Sequence, residues 1–518
     1  MECWNTGTFY CKYHSNCERS DLTFCHFRQN HALPLKFRLF FTIHLTIKFV
    51  LYIKQKGYIL FYILSKFRFG IKDHYEDILI KENLKMVIRE FHESALPDLV
   101  ERKTLFDFSL LHSAINKVIT IIGPRRAGKT YFLFQIMKAL TKKKLHITDI
   151  LYINFEDERI LPMRGQELQY ILDAYFELYE KKTHPFIFLD EVQNINGWDR
   201  FVRRLNDRGF TLIITGSNSH MLGREIATSL RGRTLTYEIF PFSFKEFLKA
   251  KRIKPEKDLL YGKMRHRIRT LYEDYFFSGG YPEIALIQDK SVKGYILQEY
   301  FNTIFYKDLV DRYGIKNTEL LKQWLNMLLL NLSSLISFSK IEKDFKSRGM
   351  KLSRSTLSSY AGYVEDTFFG FFVEMYSESA RKRQVNPKKF YLIDPGMHNY
   401  LTFKFTENRG RLLENLVFLE LRRKGIPIFY YKTSRGYEVD FLIKDKGQWA
   451  LIQVCHDLAH IDTFSREKKA LISGLKELKI NTGTIINDSE KRVEQCGNYR
   501  LNIVPIWEWL LNSLFQIL

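Results

Sequence analysis

The run Gly123-Pro124-Arg125-Arg126-Ala127-Gly128-Lys129-Thr130 fits the spacing G-x-x-x-x-G-K-[ST] without a gap. Glycines in such a run let backbone N–H groups close around an anion, and a helix N-terminus behind them adds the positive end of its dipole. Lys129 is then placed to reach the β- and γ-phosphates of a nucleotide, and the Thr130 hydroxyl to hold Mg²⁺. A second constellation, Phe186-Ile187-Phe188-Leu189-Asp190-Glu191, puts two carboxylates at the end of an apolar run. Asp190 would hold Mg²⁺, directly or through water. Glu191 would orient or deprotonate an attacking water, since phosphoryl transfer asks a protein mainly for positioning and charge stabilisation. The third candidate is Gly216-Ser217-Asn218. Ser217 there either senses the γ-phosphate or caps a helix, and both readings stay open. The cofactors expected from these residues are ATP and Mg²⁺.

The elements needed to hold these residues are legible around them. The apolar run 118–122 reads as a strand entering the loop, and the amphipathic stretch 131–140 as the helix leaving it. Residues 150–154, 186–190, 211–215 and 235–240 read as further strands, alternating with helical stretches. That alternation predicts an α/β fold with a parallel sheet, whose ligands bind beyond the carboxyl ends of the strands. From Phe244 to about Arg312 the pattern is helical, broken by the turn Ser278-Gly279-Gly280-Tyr281-Pro282.

The order GPRRAGKT, FIFLDEVQ, Trp198-Asp199, ITGSNSHML, LRGR and FPFSFKEFL resembles the AAA-type P-loop ATPases of archaea and bacteria that carry a C-terminal domain of unknown function. The resemblance covers roughly Met86 to residue 490. It implies that the strand carrying Asp190 is next but one to the strand entering the phosphate loop. It also implies a small helical lid after the sheet, and an arginine finger at Arg231 or Arg233. A basic turn between two elements is the plainer reading of those arginines. A finger acting between subunits would require a homo-oligomer.

Residues 335–393 have the pattern of a helix-turn-helix with a wing. A short helix at 340–347 ends at Arg348-Gly349, and a second begins at Ser353. Leu357, Tyr360, Ala361, Val364 and Phe368 form its apolar face, leaving Arg354, Ser355, Thr356, Ser358 and Ser359 largely off it. Arg381, Lys382, Arg383, Lys388 and Lys389 would decorate the wing and touch phosphates. Beyond them, residues 410–454 read helix, strand, strand, strand and resemble the restriction-endonuclease-like fold. Such nucleases hold Mg²⁺ with a helix Glu, a strand Asp and a (D/E)-x-K. Glu414 and Asp440 match, whereas Gln453 and Cys455 stand where the acid and the lysine belong. A neutral amide is a weaker ligand for Mg²⁺ than a carboxylate, and a cysteine carries no ammonium, so the centre reads as degenerate. Lys432 is the candidate for a displaced ammonium.

The 518 residues carry a formal net charge of +22, which favours nucleic acid or an anionic surface as a partner, with DNA the expected one. Residues 1–85 look foreign to the rest. They hold Cys3, Cys11, Cys17 and Cys25 but no C-x-x-C pair, and their apolar stretch is interrupted by Lys48, Lys54 and Lys56. No uncharged run approaches the ~20 residues a spanning helix needs, so no membrane partner and a cytoplasmic location are expected. The expectation is that residues 1–85 are non-native or disordered, with translation starting at Met86. The expected domains are then 86–243, a P-loop ATPase core; 244–312, the lid; 313–400, a winged-helix-like domain; and 401–518, a degenerate endonuclease-like domain. Together they read as a Mg²⁺-dependent ATPase coupling nucleotide state to a DNA-binding output. The rivals are an ATP-gated nuclease and a nucleotide-dependent scaffold for a protein partner without DNA.

Overall fold

A computed structural model describes residues 60–112, 117–217, 232–253, 262–402, 409–445 and 447–512. The chain divides into two units, residues 1–76 and 77–518. In the first, the described part is the start of helix Leu60–Glu93, whose side chains are described from Asp77. The cysteines at 3, 11, 17 and 25 lie outside the described residues, as do Asn218 and Arg231. The expected boundary at Met86 falls inside that helix. Leu84, Val87 and Ile88 are buried in the core, and Lys81 and Lys85 pair with Glu177. Residues 77–85 are therefore packed as part of the second unit, because Leu84 continues the buried apolar face that Val87 and Ile88 form one turn on.

The second unit opens with five parallel strands. They are β1 (Val118–Ile122), β2 (Ile150–Asn154), β3 (Phe186–Asp190), β4 (Leu212–Gly216) and β5 (Thr234–Glu238), in the order β2-β3-β4-β1-β5. All five positions of β1 and of β4 are buried. Helices cover both faces of such a sheet, so its inner strands need continuous apolar runs rather than alternation. β4 sits between β1 and β3, so Asp190 is carried next but one to the phosphate-loop strand.

Helices Phe244–Ala250, Gly262–Ser278, Pro282–Leu286 and Lys290–Thr303 come after the sheet, the last running into a π-helical segment, Ile304–Asp311. Next comes helix Thr318–Leu330, then β6 (Leu335–Ile336), helices Phe338–Ser347 and Arg354–Asp366, β7 (Gly370–Val373) and β8 (Lys388–Leu392). β8 pairs antiparallel with both β6 and β7. Ser353 caps the second helix, its side chain accepting from the Thr356 N–H. The connection between β7 and β8 holds a short helix, Ala380–Val385, where an open wing was expected. Arg383 and Lys388 turn back onto Glu374 there.

The C-terminal sheet has six strands in the order β13-β14-β12-β11-β10-β9. They are β9 (Ile428–Lys432), β10 (Glu438–Asp445), β11 (Gln448–Val454), β12 (Thr482–Asn487), β13 (Arg492–Cys496) and β14 (Tyr499–Pro505). Helix Arg409–Arg423 is buried from Leu412 to Leu421. One apolar core cluster runs from Leu84 to Leu510, through the helices after the first sheet, the helix pair and the C-terminal helices. Among the described residues no helix is long and apolar enough to cross a membrane.

Candidate nucleotide site and a buried ionic centre

The phosphate loop is shaped by contacts that leave no room for larger residues. A Cβ on Gly123 would lie 2.1 Å from the Ile239 carbonyl oxygen, and Gly128 sits at φ +94°. Helix Lys129–Lys142 starts directly behind Gly128. Ala127 is buried, and its carbonyl accepts from Arg102 Nη1 at 2.9 Å. Arg102 also bonds Glu246 Oε1 through Nε at 3.0 Å, and its backbone exchanges two hydrogen bonds with the Gln135 amide. Glu246 is at the same time the capping-box partner of Ser243. Burial works to raise the Glu246 carboxyl, but Arg102 and the Ser243 N–H hold it below the usual range. No sequence pattern marked Arg102, because its role depends on a residue far along the chain.

Lys129, Thr130, Asp190 and Glu191 meet at the carboxyl ends of β1 and β3. Thr130 Oγ1 donates to Asp190 Oδ2 at 2.7 Å, and Tyr152 OH donates to the same oxygen at 3.2 Å. Thr215, at the end of β4, donates to Asp190 Oδ1 and accepts from the Glu191 N–H at 2.9 Å. Lys129 Nζ lies 3.1 Å from Glu191 Oε1 and donates to the Pro124 carbonyl at 3.2 Å. Glu191 adopts a left-handed backbone, φ 54°, a conformation that non-glycine residues keep only where surroundings enforce it. Burial lifts the Asp190 carboxyl above its ordinary value, against the hydroxyls of Thr215 and Thr130. Burial pushes Glu191 the same way, but Lys129, Gln193 and Arg125 outweigh it and hold Glu191 low. A hydroxyl and a carboxylate converging on one point are the hard oxygen donors Mg²⁺ takes, so Thr130 and Asp190 fit that ion.

Ser217 is buried and accepts from Gln193 Nε2 at 3.3 Å, while the same amide donates to Glu191. Arg125 forks onto Asp308 of the π-helical segment at 2.9 and 3.1 Å and reaches Glu156 at 3.3 Å. Arg126 is exposed at φ 62°, over the Tyr300 ring and 4.0 Å from Glu283. Arg233 corrects an expectation. It precedes β5, whose first residue pairs with Val118 at the start of β1, and its guanidinium bonds Asp207. It therefore stands at the opposite end of the sheet from the loop, roughly 15 Å away at the rise of a strand, and serves no finger role within its own subunit.

A second polar centre lies in the C-terminal part. Lys389 Nζ is 2.8 Å from Asp440 Oδ1, 2.9 Å from Glu438 Oε1 and 3.1 Å from Glu414 Oε1. Tyr391 OH donates to Glu414 Oε1 at 2.6 Å. The Val454 N–H donates to Asp440 Oδ2 at 2.9 Å, and Gln453 Oε1 accepts from the Asp440 N–H at 3.2 Å. Gln453 Nε2 donates to Glu467 Oε2 at 2.5 Å. Burial and the neighbouring Asp440 charge push the Glu414 carboxyl up, against Lys389, and burial raises the Cys455 thiol to about 11. Cys455 is buried, with its Sγ 3.6 Å from the Asp457 carbonyl. Glu414, Asp440 and Gln453 thus come together as expected. Two expectations about lysines do not hold. Lys389 is buried and cannot touch phosphates as part of a wing, because β8 alternation turns it toward helix Arg409–Arg423. Lys432, at the exposed end of β9, is not the ammonium of this centre. Among the described residues no group of His, Cys, Asp and Glu is arranged to hold a metal ion.

The order β2-β3-β4-β1-β5, with the loop after β1 and paired carboxylates after β3, defines a P-loop ATPase domain of the AAA type. Residues 115–248 match the model of an AAA domain. Residues 269–408 and 409–509 match two domains of unknown function, DUF8612 and DUF4143. The uncharacterized protein MJ1544 of Methanocaldococcus jannaschii is 41% identical over 406 residues, covering 76% of this chain and 88% of that protein. An uncharacterized protein of Haemophilus influenzae is 29% identical over 393 residues, 76% of this chain and 93% of its own length. The chain belongs to the family of AAA-domain proteins represented by the Methanocaldococcus protein. Among solved structures, C. elegans PCH-2 matches over 56% of this chain and 66% of its own, at 14% identity and TM-score 0.21. AMPPCP-bound DnaA from Aquifex aeolicus matches over 50% and 85%, at 13% identity and TM-score 0.21. Both likenesses are too slight to carry an argument.

Proposed function

We propose that this protein binds MgATP between the phosphate loop, residues 123–130, and Asp190–Glu191, hydrolyses it, and passes its nucleotide state to a DNA-binding output. The observation that carries the reading is the mutual contact of Lys129, Thr130, Asp190 and Glu191 at one sheet edge. On nucleotide binding, Lys129 exchanges Glu191 and the Pro124 carbonyl for phosphate oxygens. Glu191, once freed, orients the attacking water, while Gln193, whose amide also bonds Ser217, holds its second oxygen. Thr130 and Asp190 would hold Mg²⁺, which would neutralise charge on the phosphates. Arg233 acts, on this reading, only in a neighbouring subunit, which entails a homo-oligomer. The DNA-directed part is supported by the exposed Arg354, Ser355, Ser358 and Ser359 on the second helix of the pair. Cleavage of DNA forms no part of the reading, because Gln453 and Cys455 lack the charges such a centre needs.

The test is steady-state ATP hydrolysis, with and without duplex DNA, beside Glu191→Gln and Lys129→Ala. Glu191→Gln is expected to lower the rate on the order of 10²-fold or more while nucleotide still binds. Duplex DNA is expected to stimulate the wild-type rate. Hydrolysis that is indifferent to DNA at every salt concentration would direct the output to a protein partner instead.

A further inference from the structure

We infer that Lys389 is a built-in cation: its ammonium takes the place of a divalent metal ion among Glu414, Glu438 and Asp440, whose oxygens, spread around it, are not arranged to hold a metal while it is there. The inference is independent of the ATP reading. Three carboxylates from two elements of the fold converge on one nitrogen. Glu414 comes from helix Arg409–Arg423, and Glu438 and Asp440 from β10. Each puts an oxygen within 3.1 Å of Lys389 Nζ. The ammonium donates hydrogen bonds to Glu414 and Asp440 and forms a third ion pair with Glu438 at 2.9 Å. The Lys389 side chain is 2% exposed, and those of Glu414 and Asp440 are 11% each. A buried charge is tolerated only when paired, and this one is over-paired.

The lysine does not come from the sheet that carries the acids. It comes from β8, in the part of the chain matching a different domain model. That part reaches the C-terminal sheet independently, through the hydrogen bond from the Tyr376 N–H to the Tyr430 carbonyl at 2.8 Å. The centre is therefore composite. It pins β8 to helix Arg409–Arg423 and β10, and the pinning charge excludes a metal. The missing positive charge of the (D/E)-x-K pattern is present in space, but it sits on the carboxylates rather than beside them. Oxygens that surround an ammonium at about 3 Å close by less than an ångström to coordinate Mn²⁺ or Ca²⁺, and Glu438, 33% exposed, gives the site an opening.

Removing the ammonium should then leave a carboxylate cage that a divalent cation stabilises. The full chain, without nucleotide, is compared by thermal unfolding with and without millimolar Mn²⁺. The variants are Lys389→Ala, Lys389→Met, which keeps the stem volume, and each combined with Asp440→Asn. The expected result is no Asp440-dependent shift in the wild type, a lower Tm in the Lys389 variants, and a rise of several degrees on adding Mn²⁺ that Asp440→Asn abolishes. Comparison through Asp440→Asn separates this centre from Asp190 and Thr130, which also take divalent ions. A Mn²⁺-induced, Asp440-dependent rise in the wild type would overturn the inference, because a metal would then displace the lysine. So would folded Lys389→Met protein that does not respond to Mn²⁺.

Discussion

At the scale of single residues, the nucleotide site is held by hydroxyls as much as by charges. Thr215 ties Asp190 to the Glu191 backbone, and Thr130 holds the other Asp190 oxygen. Asp190 is buried and would be costly as an isolated anion, so these donors are what keep it usable as a cation ligand. The glycines are equally specific. Gly123→Ala places a methyl 2.1 Å from the Ile239 carbonyl, well inside contact distance, so the loop must move. The expected outcome is a folded protein with at least tenfold weaker binding of a fluorescent ATP analogue, read by titration. Unchanged affinity would show that the loop has slack that its contacts do not indicate. The phosphate loop and the Asp190–Glu191 pair were legible in the sequence because their function demands adjacent residues of fixed type. Thr215 and Gln193 were not, since a threonine near the end of β4 and an amide just after β3 have no signature until the two strands lie side by side.

At the scale of elements, two ties join parts of the chain that lie far apart in sequence. Arg102 links the Ala127 carbonyl to Glu246 at the start of the first helix after the sheet. Both side chains are nearly inaccessible, 6% and 4% exposed. Arg102→Ala leaves a buried carboxylate without its partner, which costs roughly 3–5 kcal/mol. Its urea midpoint should fall accordingly, and Arg102→Ala with Glu246→Gln should recover part of the loss, as a double-mutant cycle reports. The second tie is Asp394. It accepts from the N–H groups of Gly280 at 2.6 Å and Gly396 at 2.9 Å, joining the turn between lid helices to the end of β8. A Cβ on Gly279 would collide with its carboxylate at 1.8 Å. Burial pushes the Asp394 carboxyl up to about 7, against those backbone donors. A raised folded pKa means the folded state binds more protons between the unfolded value of 3.8 and about 7. Stability contributed by this group is therefore greatest at the acid end and declines as pH rises through that window. Asp394→Asn should remove this slope from urea midpoints measured across the window, with a lower baseline because an amide cannot accept as a carboxylate does. An unchanged slope would assign the pH dependence to other groups.

At the scale of the whole molecule, one apolar core from Leu84 to Leu510 packs the helices after the first sheet, the helix pair and the C-terminal helices against one another rather than as beads on linkers. On the proposed function, the charge of +22 would let phosphate contacts carry the output to DNA. If DNA stimulates hydrolysis, the stimulation should fall steeply as salt is raised, because each neutralised phosphate releases counterions; a salt-independent effect would speak for protein contacts. The amino-acid sequence by itself determined the ATPase core. Apolar runs at β1, β3 and β4 must be buried, their alternation with helices entails a parallel sheet, and the phosphate loop can serve only at its carboxyl edge. It also determined the helix pair, because a capping serine and a 3.6-residue apolar face are local features. Tertiary structure alone decided where the long-range charges go. Arg233 lies at the far end of the sheet, Arg102 under the loop, and Lys389 among acids that belong to another part of the chain. The physical reason is the same in each case. A backbone pattern is set by neighbours a few residues away, whereas a buried charge takes its partner from whatever element folding brings within about 3 Å.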